Sequence, residues 1–194
     1  MKKLVVITYN QHKFHEYQRL LKDERFVLEP LSVHFQGVLE ETGETFLENA
    51  LQKLAHVKPR PNTYYIAEDS GLEIDALNGA PGVYSARYST KGTDQANVLK
   101  VLENMKDVVD RQARFKAVIA LREPSGKVST FEGVCLGRIH TEAKGTTGFG
   151  YDPIFMPLPY LETFAELGPE VKHTLSHRQK ALKKMLRYLK EQRP

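Results

Sequence analysis

The sequence predicts a mixed α/β fold in one domain, and three features carry that reading. Short β-rich apolar runs alternate with segments whose apolar residues recur every three or four positions. The intervals between them lack the regular spacing of a doubly wound βαβ fold. No stretch rich in Gly, Ser or Pro divides the chain, and its short polar connector, Lys58-Pro59-Arg60-Pro61-Asn62, is too brief for a domain boundary. The 194 residues are enough to bury roughly 70 % of the surface an unfolded chain exposes.

In chain order, Leu4 to Thr8 reads as a buried strand ended by polar residues. Asn10 then caps a helix whose Phe14, Tyr17 and Leu21 repeat at spacings of three and four. Thr45 to Val57 is a second helix, with Phe46, Leu47, Ala50, Leu51, Leu54 and Val57 on its apolar side. Tyr64 to Ala67 is a buried strand that feeds Glu68-Asp69-Ser70-Gly71. Asp94 to Met105 forms a helix carrying Val98, Leu99, Val101, Leu102 and Met105. Arg114 to Leu121 and Val128 to Leu136 are strands joined by the turn signal Glu123-Pro124-Ser125-Gly126. Ser176 to Lys190 closes the chain as a helix with an apolar stripe of Ala181, Leu182, Met185, Leu186 and Leu189.

Composition excludes several classes. With 41 % hydrophobic and 27 % charged residues, the chain is neither collagen-like nor low-complexity nor grossly disordered. Met1-Lys2-Lys3 has the basic start of a secretory leader, but the apolar run Leu4 to Ile7 is too short for one. It falls further short of the ~20 residues of a membrane span. A lone Cys135 excludes an internal disulfide. Together these features predict a soluble, cytoplasmic domain with no membrane partner. The net charge of +4 hides an asymmetry. Residues 172–194 hold eight basic side chains and one acid, whereas the rest holds 20 basic and 23 acidic. Most of that basic end, from Lys180 to Arg193, reads as a solvated helix face.

Two helix starts carry cations where the dipole favours acids: His12 and Lys13 after Asn10, and His177 and Arg178 after Ser176, with Lys172 just upstream. Backbone N–H groups point the same way there, so both starts are candidate anion sites, with a surface cation paired elsewhere as the alternative. Gly145-Thr146-Thr147-Gly148-Phe149-Gly150-Tyr151-Asp152-Pro153 is a third candidate, a tight ligand turn whose Phe149 and Tyr151 either stack on a base or join the core. It lacks the Lys of a Walker loop and the spacing of a dinucleotide fingerprint. Among the acids, Glu44 and Glu48 fit the start of the helix near Thr45. Glu40, Glu41, Glu68 and Asp69 have no such explanation, and they predict a hard-metal site with a carboxylate base.

Other chemistries fit less well. Ser70 is not in a Gly-x-Ser-x-Gly elbow. His173 and His177 have zinc-ligand spacing but no Glu between them in the expected place and no third ligand. Cys135 reads as a small core residue. The last helix has Tyr188 as its only aromatic, which argues against a stable nucleic-acid partner.

Six motifs occur in one order: Thr8-Tyr9-Asn10-Gln11-His12-Lys13, Gly43-Glu44-Thr45-Phe46-Leu47-Glu48-Asn49-Ala50, Glu68-Asp69-Ser70-Gly71-Leu72, Gly79-Ala80-Pro81-Gly82-Val83-Tyr84-Ser85-Ala86-Arg87, Gly148-Phe149-Gly150-Tyr151-Asp152-Pro153 and Ser176-His177-Arg178. In this the chain resembles the dITP/XTP (inosine triphosphate) pyrophosphatase family over essentially its whole length. The resemblance implies a single elongated domain spanning 1–194, with a long mixed sheet, flanking helices and two lobes around a cleft. It further implies a homodimeric, Mg²⁺-dependent enzyme that converts ITP, dITP and XTP to the monophosphate and pyrophosphate, clearing deaminated purines from the nucleotide pool. Thr8, Asn10, Gln11, His12 and Lys13 would contact substrate, with Thr8, Asn10, Lys13 and Lys53 on the phosphates. Asp69 would be the general base and lie with Glu40 at the Mg²⁺, with Glu68 as a further ligand. Ser70 would touch substrate. Phe149, Gly150, Tyr151 and Asp152 would form the base pocket, and Lys172, His177 and Arg178 would contact the purine rather than phosphate. A purine 6-oxo group accepts hydrogen bonds where an adenine amino group donates, so cationic donors would favour hypoxanthine and xanthine. Glu68 departs from the Asp of bacterial-type members, placing its carboxylate one carbon further out. The neighbouring enzyme reading is a Maf-like pyrophosphatase acting on modified pyrimidines or dUTP.

Overall fold

The computed structural model describes residues 2–22, 24, 26–35 and 37–192. Met1 and Arg193, which enter the leader and charge arguments, lie outside the described residues. Six strands form one mixed sheet in the order β2-β1-β3-β4-β5-β6. They are β1 Lys2–Ile7, β2 Phe26–Pro30, β3 Thr63–Ile74, β4 Gln112–Arg122, β5 Val128–Ile139 and β6 Phe155–Pro157. The helices are α1 Gln11–Leu20, α2 Phe46–Ala55, α3 Asp94–Asn104, α4 Phe164–Leu175 and α5 His177–Glu191.

The described chain divides into two compact units, one of residues 1–69, 118–132 and 181–194 and the other of 70–117 and 133–180. The chain crosses between them inside β3, β4, β5 and α5 rather than in a linker. The absence of linker composition from the sequence agrees with crossings that are regular hydrogen-bonded elements.

In the first unit, β1 pairs in parallel with β2 and β3, so that Leu4 faces Leu28 on one side and Tyr64 on the other. Its four residues Leu4 to Ile7 are buried on both faces, as a strand inside a parallel arrangement requires. The β1–α1–β2 stretch is a parallel crossover unit, a regularity the sequence reading did not expect. The strand it missed, β2, is short, lies at the sheet edge and ends at Pro30, where Pro is tolerated. Asn10 caps α1 as expected, its Oδ1 accepting the N–H of Lys13 at 3.1 Å.

A capping box starts α2: Thr45 Oγ1 accepts the N–H of Glu48 at 3.2 Å, and Glu48 Oε2 accepts the N–H of Thr45 at 3.1 Å. Glu48 is thus committed to the helix start. The buried face of α2 carries Phe46, Asn49, Ala50, Lys53 and Leu54, whereas Leu47 and Leu51, read as core, are exposed. Two polar residues, Asn49 and Lys53, occupy part of the face that apolar periodicity reserves for packing. At the other end Arg122 of β4 donates to the carbonyls of Val57 and Leu54 at 2.8 and 2.9 Å.

Strand β3 corrects a boundary. It runs past Ala67 to Ile74, so Glu68, Asp69 and Ser70 lie within the strand instead of following it. Polar residues hide the continuation from a hydrophobicity reading, since buried strands are recognised by apolar runs.

The core of the second unit gathers Leu72, Ile74, Val98, Val101, Met105, Phe115, Cys135, Ile139, Phe155 and Phe164, among others. Cys135 is buried there as expected, and desolvation pushes its thiol up to about 11. Helix α4 was not expected from sequence: Gly168, with φ +80°, and Pro169 interrupt its middle and break the helical pattern. Helix α5 keeps the expected stripe, with Ala181, Leu182, Met185 and Leu189 buried and Lys180, Lys183, Lys184, Arg187 and Lys190 exposed.

Thr45→Ala removes one half of the box that starts α2. Urea denaturation should show a loss of about 1 kcal/mol, the usual value of an N-cap oxygen.

Candidate active site

In the first unit the candidate residues gather on β3, α1 and α2. Successive strand residues point to opposite faces. The adjacent carboxylates of β3 accordingly meet different helices. Glu68 meets α1: the Tyr17 hydroxyl donates to its Oε2 at 2.6 Å, and Lys13 Nζ lies 3.4 Å from Oε1. Asp69 meets α2: Asn49 Nδ2 donates to its Oδ2 at 2.9 Å, and Lys53 Nζ lies 3.4 Å from Oδ1. Both acids are 5 % exposed. Buried carboxylates need hydrogen-bond donors and cations in place of water, and each has one of both.

Lys53 is the hub of this group. Lys53 is 4 % exposed, and its ammonium also donates to Glu41 Oε1 at 2.6 Å and to the main-chain oxygen of Glu68 at 2.7 Å. Three acceptors match the three N–H donors of an ammonium. Asn49 and Lys53 are four apart on α2, which stacks them on one face. Glu40 is exposed. Thr8 Oγ1 accepts the N–H of Asn10 at 3.1 Å, so Thr8 and Asn10 fix the turn that leads into α1. Gln11 and His12 are exposed on the first turn of α1, beside Lys13.

Among the described residues no three or more His, Cys, Asp or Glu side chains cluster closely enough to enclose a metal ion by themselves. The expected donor set of Glu40, Asp69 and Glu68 is carboxylate oxygen without His or Cys. That set fits Mg²⁺, which is held by one or two carboxylates together with water and substrate phosphate.

The second unit holds the other candidates. Asp152, 1 % exposed, accepts the N–H of Phe149 at 2.9 Å and the Lys172 ammonium at 2.7 Å, both on Oδ2. Lys172 Nζ also sits 4.3 Å from the centroid of the Phe149 ring, a cation–π distance. Gly148 has φ +82°, and a Cβ there would collide with the Asp152 carboxylate. Only glycine permits this closed Gly-Phe-Gly turn. The N–H of Gly150 donates to Asp94 Oδ2 at 2.6 Å. Tyr151 is buried, and its hydroxyl donates to the carbonyl of Ser85 at 2.7 Å. Burial foremost, then Tyr88 and Asp94, pushes its pKa well up, so the phenol stays a neutral donor. Of the two aromatics, Tyr151 joins the core while Phe149 remains half-buried.

Ser176 ends α4 with extended backbone, and α5 begins at His177. His173 and His177 therefore sit on different helices, and the zinc spacing between them does not exist as a helical pair. The His177 ring lies nearly parallel to Phe115, at 4.9 Å and 15°. Arg178, 1 % exposed, donates from Nη2 to Ser70 Oγ at 3.3 Å. These side chains are buried, not a surface cation pair at a helix start.

Asn49 and Asp94 were not assigned roles by sequence, and Tyr17 was read only as part of the apolar face of α1. Asn49 had a visible signal, a polar residue on the apolar face of α2 one turn before Lys53.

The family model of the Ham1 family matches residues 4–188. This chain belongs to the Ham1 family. It is 45 % identical to a dITP/XTP pyrophosphatase of Oceanobacillus iheyensis, across 97 % of this chain and 98 % of that one. It is 48 % identical to one from Desulfotalea psychrophila, across 92 % and 81 %. Among solved structures, the Ham1 protein of Coxiella burnetii aligns with TM-score 0.87 at 40 % identity, covering 98 % of this chain and all of that chain. The Staphylococcus aureus Ham1 protein aligns with TM-score 0.86 at 36 % identity, covering 99 % of this chain and 100 % of that one.

Lys172→Met withdraws an ammonium from a buried carboxylate. The expected loss in urea denaturation is about 3 kcal/mol, and adding Asp152→Asn should restore part of it by removing the buried charge.

Proposed function

We propose that this protein hydrolyses ITP, dITP and XTP to the nucleoside monophosphate and pyrophosphate, with Asp69 as general base. The observation that carries this reading is the Asp69 carboxylate, buried between Asn49 and Lys53 on β3. Its relatives in the Ham1 family that bear the name dITP/XTP pyrophosphatase support the substrate class.

Asn49 and Lys53 each engage a different Asp69 oxygen. A carboxylate offers about four lone-pair directions, so two donors leave room for one more hydrogen bond from water. Asp69 takes a proton from water as that water's oxygen bonds the α-phosphorus. The bond from the α-phosphorus to the bridging oxygen breaks, and pyrophosphate leaves with the electron pair. Glu40 and Asp69 would hold Mg²⁺, with Glu68 as the further candidate. A bound Mg²⁺ neutralises charge that develops on the phosphate oxygens. Thr8, Asn10 and Lys13 would hold the phosphates at the start of α1, with Lys53 also reaching them, and Gln11 and His12 would contact substrate beside them.

For the base, the Phe149 ring offers a stacking face, and Gly150 and Asp152 shape its turn. Lys172, His177 and Arg178 supply donors to a 6-oxo purine, with Ser70 held beside Arg178. Tyr151 supports the turn from the core. A donor set aimed at a 6-oxo group leaves the adenine amino group unmatched, which disfavours ATP. The same reading makes the protein a cytoplasmic homodimer that keeps deaminated purines out of nucleic acid. Among the described residues no helix is long and apolar enough to cross a membrane.

Purified protein incubated with ITP, XTP, ATP and GTP, with and without Mg²⁺, should release pyrophosphate from the first two in a Mg²⁺-dependent reaction. Orthophosphate as product, or equal turnover of ATP, would overturn the reading. Asp69→Asn should lower kcat at least ~100-fold, in the range of general-base loss, while ITP binding stays measurable by calorimetry.

A further inference from the structure

Two residues of α1, Lys13 and Tyr17, flank a single carboxylate of β3. They are four apart in the helix, so their side chains lie on one face. The Tyr17 side chain is 1 % exposed, and its hydroxyl donates to Glu68 Oε2 at 2.6 Å. Lys13 Nζ approaches the other oxygen, Oε1, at 3.4 Å. The Glu68 side chain is 4 % exposed and that of Lys13 is 16 % exposed, so the line from phenol to carboxylate to ammonium runs outward from the interior.

We propose that Tyr17 is a positioning residue for the phosphate-binding Lys13, acting through Glu68. This rests on the reading that Lys13 holds a substrate phosphate. A glutamate has one more rotatable bond than an aspartate, and its carboxylate would otherwise rotate among several orientations. The phenol fixes one oxygen by a short bond to a charged acceptor. The second oxygen is then directed at Lys13, and the ammonium is held extended beside the N–H groups at the start of α1. Lys13 remains the group that meets the phosphate, and Tyr17 decides where it stands before the substrate arrives. Pre-ordering of this kind raises affinity by removing the entropy of fixing a long side chain on binding. The reacting atoms are not touched, so the effect belongs to substrate binding rather than to the chemical step.

Tyr17→Phe keeps the ring and removes only the hydroxyl. The KM for ITP should rise about tenfold, the scale of a lost hydrogen bond to a charged group, with kcat nearly unchanged. Calorimetry with inorganic tripolyphosphate in EDTA should show the same weakening without any metal. In a Glu68→Gln background the Tyr17→Phe change should have little further effect, because the two act as one unit. A variant with a lowered Tm but wild-type KM and wild-type tripolyphosphate affinity would make Tyr17 purely structural and sink the proposal. A fall in kcat at constant KM would sink it too. Should Tyr17→Phe not fold, Glu68→Gln alone decides, since wild-type tripolyphosphate affinity in that variant removes the link to Lys13. Wild-type protein that fails to hydrolyse ITP overturns the substrate reading, while the tripolyphosphate measurement still reports on Tyr17.

Discussion

Two ionisable carboxylates side by side inside a buried strand are the constraint from which much of this molecule follows. Glu68 and Asp69 sit in β3 with little exposure. An ionised carboxylate taken out of water is unfavourable by several kcal/mol unless donors and cations replace its hydration. The strand's alternation prevents one set of donors from serving both. The fold answers with two helices, α1 offering Tyr17 and Lys13 to one acid and α2 offering Asn49 and Lys53 to the other. The sites of those four residues are in turn fixed by caps, Asn10 for α1 and the Thr45–Glu48 box for α2.

The same logic operates in the second unit with different residues. Asp152 is buried, and it is satisfied by a backbone N–H of its own turn and by the Lys172 ammonium. That ammonium lies over the Phe149 ring. One cation therefore couples the shape of the Gly-Phe-Gly turn to the orientation of the aromatic face that would take a base. In both units an acid that is costly to bury organises the cations and hydrogen-bond donors packed around it.

Much of the fold was legible because hydrophobic periodicity and caps are local. The strands at Leu4 and Tyr64, the helices capped by Asn10 and Thr45 and the turn between β4 and β5 all follow from short windows. What periodicity missed has a common cause. Strand β2 is short and at an edge, α4 is broken by Gly168 and Pro169, and the second half of β3 is polar where buried strands are usually apolar. In α2 the same rule placed Leu47 and Leu51 in the core, whereas Asn49 and Lys53 occupy buried positions there.

The sequence by itself determined which residue types were available: cations at the start of α1, unexplained acids at Glu40, Glu41, Glu68 and Asp69, a glycine-rich turn ending in Asp152, and an order of motifs shared with the Ham1 family. Residue type and order are local information, readable without a fold. Only the tertiary structure decided the pairings. It joined Lys53 to Glu41 and Asp69, Tyr17 to Glu68, Lys172 to Asp152 and Phe149, and Arg178 to Ser70. These contacts join residues distant in sequence, and a buried charge selects its partner by where the strands and helices bring a donor within reach.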